Sequence, residues 1–426
     1  MSKLLRAVLS ITALTIVFLI GSPTWAEEYG YPIDDAFVAT VVGTPHDLQA
    51  KLPKIPLKLR SIEIFEDREV PEVFFYDRKM RYSYAKQKKS APLIFLIAGT
   101  GSSYLSKSVQ LLAKVFYQAG FHIVTISSPT HPNFVTAASE TGVPGDAKGD
   151  AKDLYRAMQK VRSKIGKKMD VTDYYISGYS LGGFNAAFVA WLDETEQAFN
   201  FKKALLINPP VSLYSSVSLL DRMLENIPGG EDNFNLFYDR LVNSLTQAYK
   251  RSDGLQMDED FLYKAYEVYK PPDELLAALI GTSFRMSAAG MVFTSDVINN
   301  YGFIKPRNVT LTKNTNLDVY ELVAMRLGFT DYFHAYFYPW HKERDPSITR
   351  ASLIEKTSLT DIEDYLRTST KIFVMHNQND LILEDGEIDF VRDVFGDRAK
   401  IYPVGGHLGN MPYKDNTAHM VSVMKD

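Results

Sequence analysis

Tyr174-Tyr175-Ile176-Ser177-Gly178-Tyr179-Ser180-Leu181-Gly182-Gly183-Phe184-Asn185-Ala186-Ala187 is the stretch that decides the fold. A short β-rich run, 174–177, meets a G-x-S-x-G turn that opens directly into a helix rich in small residues, Ala186, Ala187 and Ala190. A serine on so sharp a strand-to-helix turn takes unfavourable backbone angles. Glycine two residues before it, Gly178, and two after it, Gly182, removes side chains that would strike the neighbouring strand and helix. The Ser180 hydroxyl is then exposed at a helix N-terminus, where backbone N–H groups point toward developing negative charge.

On either side of this turn the chain alternates strand and helix. An apolar run at 92–98 ends in Gly99-Thr100-Gly101 and leads into a helix over 106–119. A strand at 122–127, a helix over 150–165, the helix over 181–198 and a strand at 204–208 continue the rhythm. It resumes at 371–376, with a helix over 384–395, a strand at 399–403 and a last helix near 417–425. This pattern predicts an α/β fold with a doubly wound, mostly parallel sheet covered on both faces. Partly alternating runs at 58–65 and 72–84 add antiparallel edge strands. Between 211 and 370 the rhythm breaks into helical patterns near 219–226, 233–251, 259–269, 273–288, 317–327 and 359–368. A segment inserted between two consecutive sheet strands is anchored at both ends, so it reads as a large helical cap over the strand C-termini, where open α/β sheets bind ligands. Residues 27–57, broken by Pro32, Pro45, Pro53 and Pro56, read as an extended arm wrapping the surface.

A hydrolytic serine needs an imidazole to take its proton and an acid to orient that imidazole, here in the chain order serine, acid, histidine. The loop Asn377-Gln378-Asn379-Asp380 places an acid after one late strand, and Val404-Gly405-Gly406-His407 places a histidine after the next. The rival acids Glu384 and Asp385 fit the first turn of a helix. Of the other histidines, His46 lies in the arm, His122 begins a strand, His334 and His341 fall in the cap, His376 ends a strand and His419 belongs to the terminal helix. His131, in a loop after a strand, is a further candidate to line the cleft. Asp146, Asp150 and Asp153 lack the glutamate and spacing of a calcium loop and read as acids at a helix N-terminus.

The sequence resembles the α/β-hydrolase fold family. The likeness rests on the Gly99-Thr100-Gly101 turn, the Gly178-Tyr179-Ser180-Leu181-Gly182-Gly183 elbow, the His376-Asn377-Gln378-Asn379-Asp380 loop and Gly405-Gly406-His407. It covers about 58–210 and 371–426, and neither the arm nor the cap. The resemblance implies that Ser180 is the nucleophile, His407 the base and Asp380 the orienting acid. It further implies that the N–H of Leu181 is one oxyanion donor and that the turn after the third strand supplies the other, Thr100 first and Gly101 next. That turn reads Ala98-Gly99-Thr100 where the family commonly carries His-Gly. The implied reaction is acyl transfer through an acyl-enzyme, with no cofactor and no metal.

Composition bounds the rest. The chain has 426 residues, 46% of them hydrophobic and 23% charged, which is ample for one large or two ordinary globular domains. It has no cysteine, which excludes disulfides, thiolate metal sites, a thiol nucleophile and an acylated N-terminal cysteine. A formal charge of −4 supplies no basic field for nucleic acid. Lys3 and Arg6, an apolar run at 7–21 and the small-residue end at Ala26 make a secretory signal with cleavage after Ala26, giving a periplasmic or secreted product. Its 15 apolar residues would span only about 22 Å as a helix, short of the roughly 30 Å hydrocarbon core. The aromatic run from Tyr332 to Trp340 carries candidates for an apolar pocket wall. The expected function is that of an exported serine hydrolase acting on a small-molecule or lipid-like acyl ester, with peripheral contact to envelope lipids. A serine peptidase or amidase, and a non-catalytic envelope lipid-binding protein of the same fold, are the alternatives.

Overall fold

Leu93, Ile94, Phe95, Leu96 and Ile97 are all fully buried, five apolar residues in succession, which is the mark of a strand covered on both faces. They lie in β3 (Ala91–Ile97) at the centre of an eight-stranded sheet. The computed structural model describes residues 29–234, 236–240, 266 and 270–425. The secretory pattern of 1–26 lies outside the described residues, as do most of 233–251 and 259–269, where two cap helices are expected.

The other strands are β1 (Lys58–Ile62), β2 (Met80–Ala85), β4 (His122–Ile126), β5 (Val171–Tyr179), β6 (Ala204–Ile207), β7 (Ile372–Asn377) and β8 (Ala399–Tyr402). They are ordered β1-β2-β4-β3-β5-β6-β7-β8. β2 runs antiparallel to β1 and β4, and every pairing from β4 to β8 is parallel. β5 is longer than its apolar pattern because its pairing with β3 continues to Ile97 opposite Gly178. That pairing ends two residues before Ser180, and the pairing with β6 carries the strand one further, to Tyr179 opposite Ile207. The flanking helices start on side-chain caps: Ser106 accepts the N–H of Val109, and Asp146 accepts that of Gly149.

Two sequence boundaries move. The arm is not wholly extended, because Ala36–Val42 forms a helix capped by Asp35, with Val38, Ala39 and Val42 buried. Seven residues do not hold a helix alone; burial of this apolar face does. The cap is also shorter than 211–370. Leu359, Ile362 and Leu366, on the turns Leu359–Ile362 and Glu363–Thr368, are buried with the sheet's own core. That segment therefore belongs to the α/β layer. The insertion pinches at a neck where Ser212 bridges Ser358, the Leu213 N–H donates to the Thr357 carbonyl and the Leu359 N–H to that of Val211.

Beyond the neck the cap has its own core, centred on the 27-residue helix Asp273–Asn299. By length and composition that helix could cross a bilayer, yet its apolar stretch is mostly buried inside the protein. Buried Asp296 accepts the N–H groups of Phe303, Ile304 and Lys305 at 2.7–3.0 Å, fastening the chain that leaves the helix. The aromatic run includes a π-helical turn, Phe333–Phe337, packed against this helix core. Tyr336, fully buried, bonds to Ser295.

Candidate active site

Ser180 sits at the N-cap of the helix Leu181–Glu196 with φ 53° and ψ −130°. Serine is a favoured capping residue, yet its side chain makes no cap hydrogen bond here. The hydroxyl instead donates to His407 Nε2 at 3.0 Å. The elbow glycines explain how this turn closes. A Cβ on Gly178 would lie 2.2 Å from the Gly182 carbonyl oxygen, and one on Gly182 would lie 2.3 Å from that of Ile97.

His407 Nδ1 donates to the Asp380 carboxylate, 3.0 Å from Oδ1 and 3.1 Å from Oδ2. Asp380 is held in turn by Asn208 Nδ2 at 2.7 Å on Oδ2 and by the Ile382 N–H at 3.2 Å on Oδ1. Burial pushes the Asp380 carboxyl up, but His407, His376 and Asn208 outweigh it and hold it below the ordinary carboxylate range. An ionised Asp380 fixes the imidazole with its proton on Nδ1, leaving Nε2 to accept from Ser180. All three side chains are buried.

The remaining expectations sort themselves by geometry. Thr100 and Leu181 line the same cavity as Ser180, and their N–H groups make no hydrogen bond within the described chain. The N–H of Gly101 donates to Thr130 Oγ1 at 2.8 Å. Gly101 is therefore corrected from second candidate donor to a residue of the turn scaffold. His131 caps a short helix through Nδ1, and burial, then Arg81, lowers its pKa to about 4. His376 Nε2 donates to the Pro209 carbonyl at 3.0 Å, while Nδ1 accepts the Asn377 N–H. Asp146, Asp150 and Asp153 accept backbone N–H groups of Gly149, Gly145 and Glu140.

Several residues that hold the site escape the sequence reading. Asn377 and Asn410 bond to one another, and Asn377 also donates to the Gly406 carbonyl at 2.7 Å. Asn379 links the Asp34 carbonyl to the Gly406 N–H. Thr40, on the arm helix, accepts the His407 N–H at 2.8 Å and donates to the Ala36 carbonyl. The arm packs so closely that a Cβ on Gly406 would lie 2.3 Å from the Ala36 oxygen. For Asn208 a signal exists, a polar residue ending an apolar strand before Pro209-Pro210. For Thr40 none does, since its partner lies 367 residues away.

A strained serine after β5, an acid after β7 and a histidine after β8 converge on a sheet of this strand order. This is the α/β-hydrolase fold. No protein-family model matches the chain, and no curated protein matches it. Among solved structures, an esterase of Pyrococcus furiosus is similar at 8% identity and TM-score 0.42, over 87% of this chain and 92% of that one. A thioesterase domain from the curacin biosynthetic pathway is similar at 10% and 0.40, over 87% and 100%. A proline iminopeptidase-related protein of Thermus thermophilus is similar at 13% and 0.40, over 87% and 98%. The chemistry of this chain has to be read from its own side chains.

The Ser180 cavity encloses about 790 Å³ of empty space, part of it open to solvent. Leu213, Val217 and Leu220 line it from the first cap helix, Leu213–Arg222, and Phe329, Tyr332, Phe333 and Phe337 from the aromatic run. Trp340 is not among its lining residues, and Tyr336 belongs to the cap core.

Thr40→Val should slow the reaction of Ser180 with a fluorophosphonate about tenfold, because a buried N–H next to the imidazole loses its acceptor. Thr40→Ser, which keeps the oxygen, should react at close to the parent rate; equal slowing in both would mean that Thr40 only fills space. Acid should withdraw the stabilising contribution of the buried histidines and of Asp380 in two stages. Burial depresses the pKa of His122, His131, His341, His376 and His419, so at these five groups the unfolded chain binds more protons than the native one below about pH 6.5. Burial raises Asp77, Asp150, Asp153, Asp221 and Glu387, which contribute with the opposite sign. The histidine contribution to stability is then lost from about pH 6.5 downward, and that of Asp380 below about pH 4. Thermal midpoints measured from pH 8 to pH 4 check this, and His376→Asn should flatten the upper stage.

Proposed function

We propose that this protein is an exported serine hydrolase of carboxylic esters, acting on substrates with an extended apolar acyl part. The observation that carries the reading is the buried Ser180–His407–Asp380 hydrogen-bond chain opening into a cavity walled by aromatic and aliphatic side chains. Ser180 Oγ bonds to the ester carbonyl carbon as its proton passes to His407 Nε2, and the carbonyl electron pair moves onto oxygen. The N–H groups of Leu181 and Thr100 receive that oxyanion. Each such donor typically contributes about 3–4 kcal/mol of transition-state stabilisation. Collapse breaks the bond to the alcohol oxygen, which takes the proton from His407. Water then attacks the acyl-enzyme, gives its proton to His407, and the carboxylic acid leaves as Ser180 is regenerated.

Asp380 stabilises the imidazolium that forms between these steps and keeps the ring in the productive tautomer. Export is the reading of residues 1–26, and it brings the enzyme to envelope lipids as a source of acyl esters. A peptide or amide substrate would use the same proton transfers, but an apolar wall of this extent favours an acyl chain.

Ser180→Ala and His407→Ala should each remove ester turnover by several orders of magnitude, and the double substitution should add little more, since the residues act as a unit. Steady-state hydrolysis of an acyl ester panel measures this, and near-parent activity in either single variant sinks the reading. Phe333→Ala and Phe337→Ala should lower kcat/KM for long acyl chains by about tenfold or more, with a much smaller effect on acetyl esters. Equal losses on short and long chains would reduce these rings to packing.

A further inference from the structure

A second compartment also reaches Ser180. It encloses about 2190 Å³ of empty space, part of it open to solvent, and shares Thr100, Ser180 and Phe284 with the apolar cavity. Its walls are the arm from Thr40 to Gly43, one face of the helix Lys107–Gln118, part of the long cap helix and the His407 loop. The two compartments differ in chemistry. The first carries no charged side chain; the second carries Lys107 and Lys114, and no carboxylate lines it.

Lys107 is exposed and Lys114 half-buried, and both line this compartment. They stand seven residues apart, two turns of one helix, so both present to the same side with Gln110 and Leu111 between them. Neither ammonium pairs with a carboxylate among the described residues. Lys107 occupies the first position of its helix, where the positive end of the macrodipole disfavours a cation and where the first turn holds no acid. No aspartate or glutamate occurs from residue 78 to residue 139. Ser102, Ser283 and Ser287 line the same groove; the Ser102 and Ser287 hydroxyls donate to the Thr100 and Ser283 carbonyls, and the Ser283 hydroxyl adds a donor. In a chain of formal charge −4, two cations without a carboxylate partner among the described residues thus line a compartment that reaches the nucleophile.

We infer that the second compartment receives the leaving group and that this leaving group is a phosphate-bearing alcohol or thiol. The inference rests on the acyl-ester reading above and deepens it. With the acyl chain in the apolar cavity and the carbonyl at Ser180, the atom that leaves points into the cationic groove. Lysine serves as a point charge for phosphate, and the Ser283 hydroxyl supplies direction. The same chemistry is met in an acyl glycerol phosphate and in an acyl phosphopantetheine thioester.

The test uses the chain from Glu27 onward and three substrates with one acyl chain: a neutral monoacylglycerol, the acyl glycerol phosphate and the acyl phosphopantetheine. At low salt, kcat/KM for at least one phosphate-bearing substrate should exceed that for the neutral ester by about five- to tenfold, the scale of two partly exposed ion pairs. The advantage should shrink in about 1 M salt, where the Debye length is about 3 Å. In the double variant Lys107→Gln/Lys114→Gln the ratio should fall toward one, while Lys107→Arg/Lys114→Arg should keep it. Which phosphate-bearing arm gains tells a lipid headgroup from a carrier thiol. Hydrolysis of all three at charge-blind rates, or a ratio unmoved by the glutamine pair, overturns the inference and leaves the acyl-ester reading standing. No hydrolysis of any of the three, with Ser180 unreactive toward a fluorophosphonate, overturns both.

Discussion

The backbone of Ser180 is the constraint on which the rest depends. A non-glycine residue in that region costs about 1–3 kcal/mol and persists only where the surroundings over-determine it. Here they do. The Ser180 N–H donates to the Ile207 carbonyl of β6, and its own carbonyl accepts the N–H groups of Gly183 and Phe184. Gly182 lies against the end of β3, where no Cβ would fit. Three neighbouring strands thus close on one residue. If the turn relaxed to an ordinary N-cap, the hydroxyl would turn back to its own helix and leave His407 without a partner.

The imidazole is held by the same kind of over-determination, built from farther apart in the chain. Asn208 at the end of β6 and the Ile382 N–H fix the carboxylate, and the carboxylate fixes the ring. The loop carrying the ring is fastened from below by Asn377 and Asn410 and from outside by Thr40 and Asn379. A buried polar network of this kind rigidifies only when its members are satisfied, and each bond named here has both donor and acceptor.

What the sequence made legible follows from this division. The elbow, the late-strand acid and the late-strand histidine are local patterns, so the strands announce them. The arm helix does not announce itself, because four prolines surround seven residues whose helicity comes from burial against distant parts of the chain. Residues 359–368 look like one more cap helix until their apolar face is seen to pack under the sheet. The choice between Thr100 and Gly101 turns on a hydroxyl 29 residues away, and glycine content alone cannot reveal that its N–H is already taken. The aromatic run divides between cavity wall and cap core, since a π-helical turn reorders which rings share a face.

The neck at Ser212 and Ser358 gives these parts distinct roles. Above it, the cap lines the cavity with apolar side chains; under the proposed reaction they touch the unreactive part of the substrate, and such contacts are equally strong before and during the bond changes. They set which substrate is held and at what concentration, without lowering the chemical barrier. Below it, Leu181, Thr100 and His407 are held at the strand ends by the sheet and the arm, and under the proposed reaction groups fixed in this way need no reorganisation when charge develops. Covalently the cap joins at this neck alone, but it also packs on the sheet side, through Tyr332 on the Pro144 carbonyl, Ser295 on the Gly142 carbonyl, and Val73, Phe74 and Val143 in its core. Under the proposed reaction the sheet bears on rate and the cap on selection, which is why the local sequence of the strands speaks to mechanism and that of the cap to substrate.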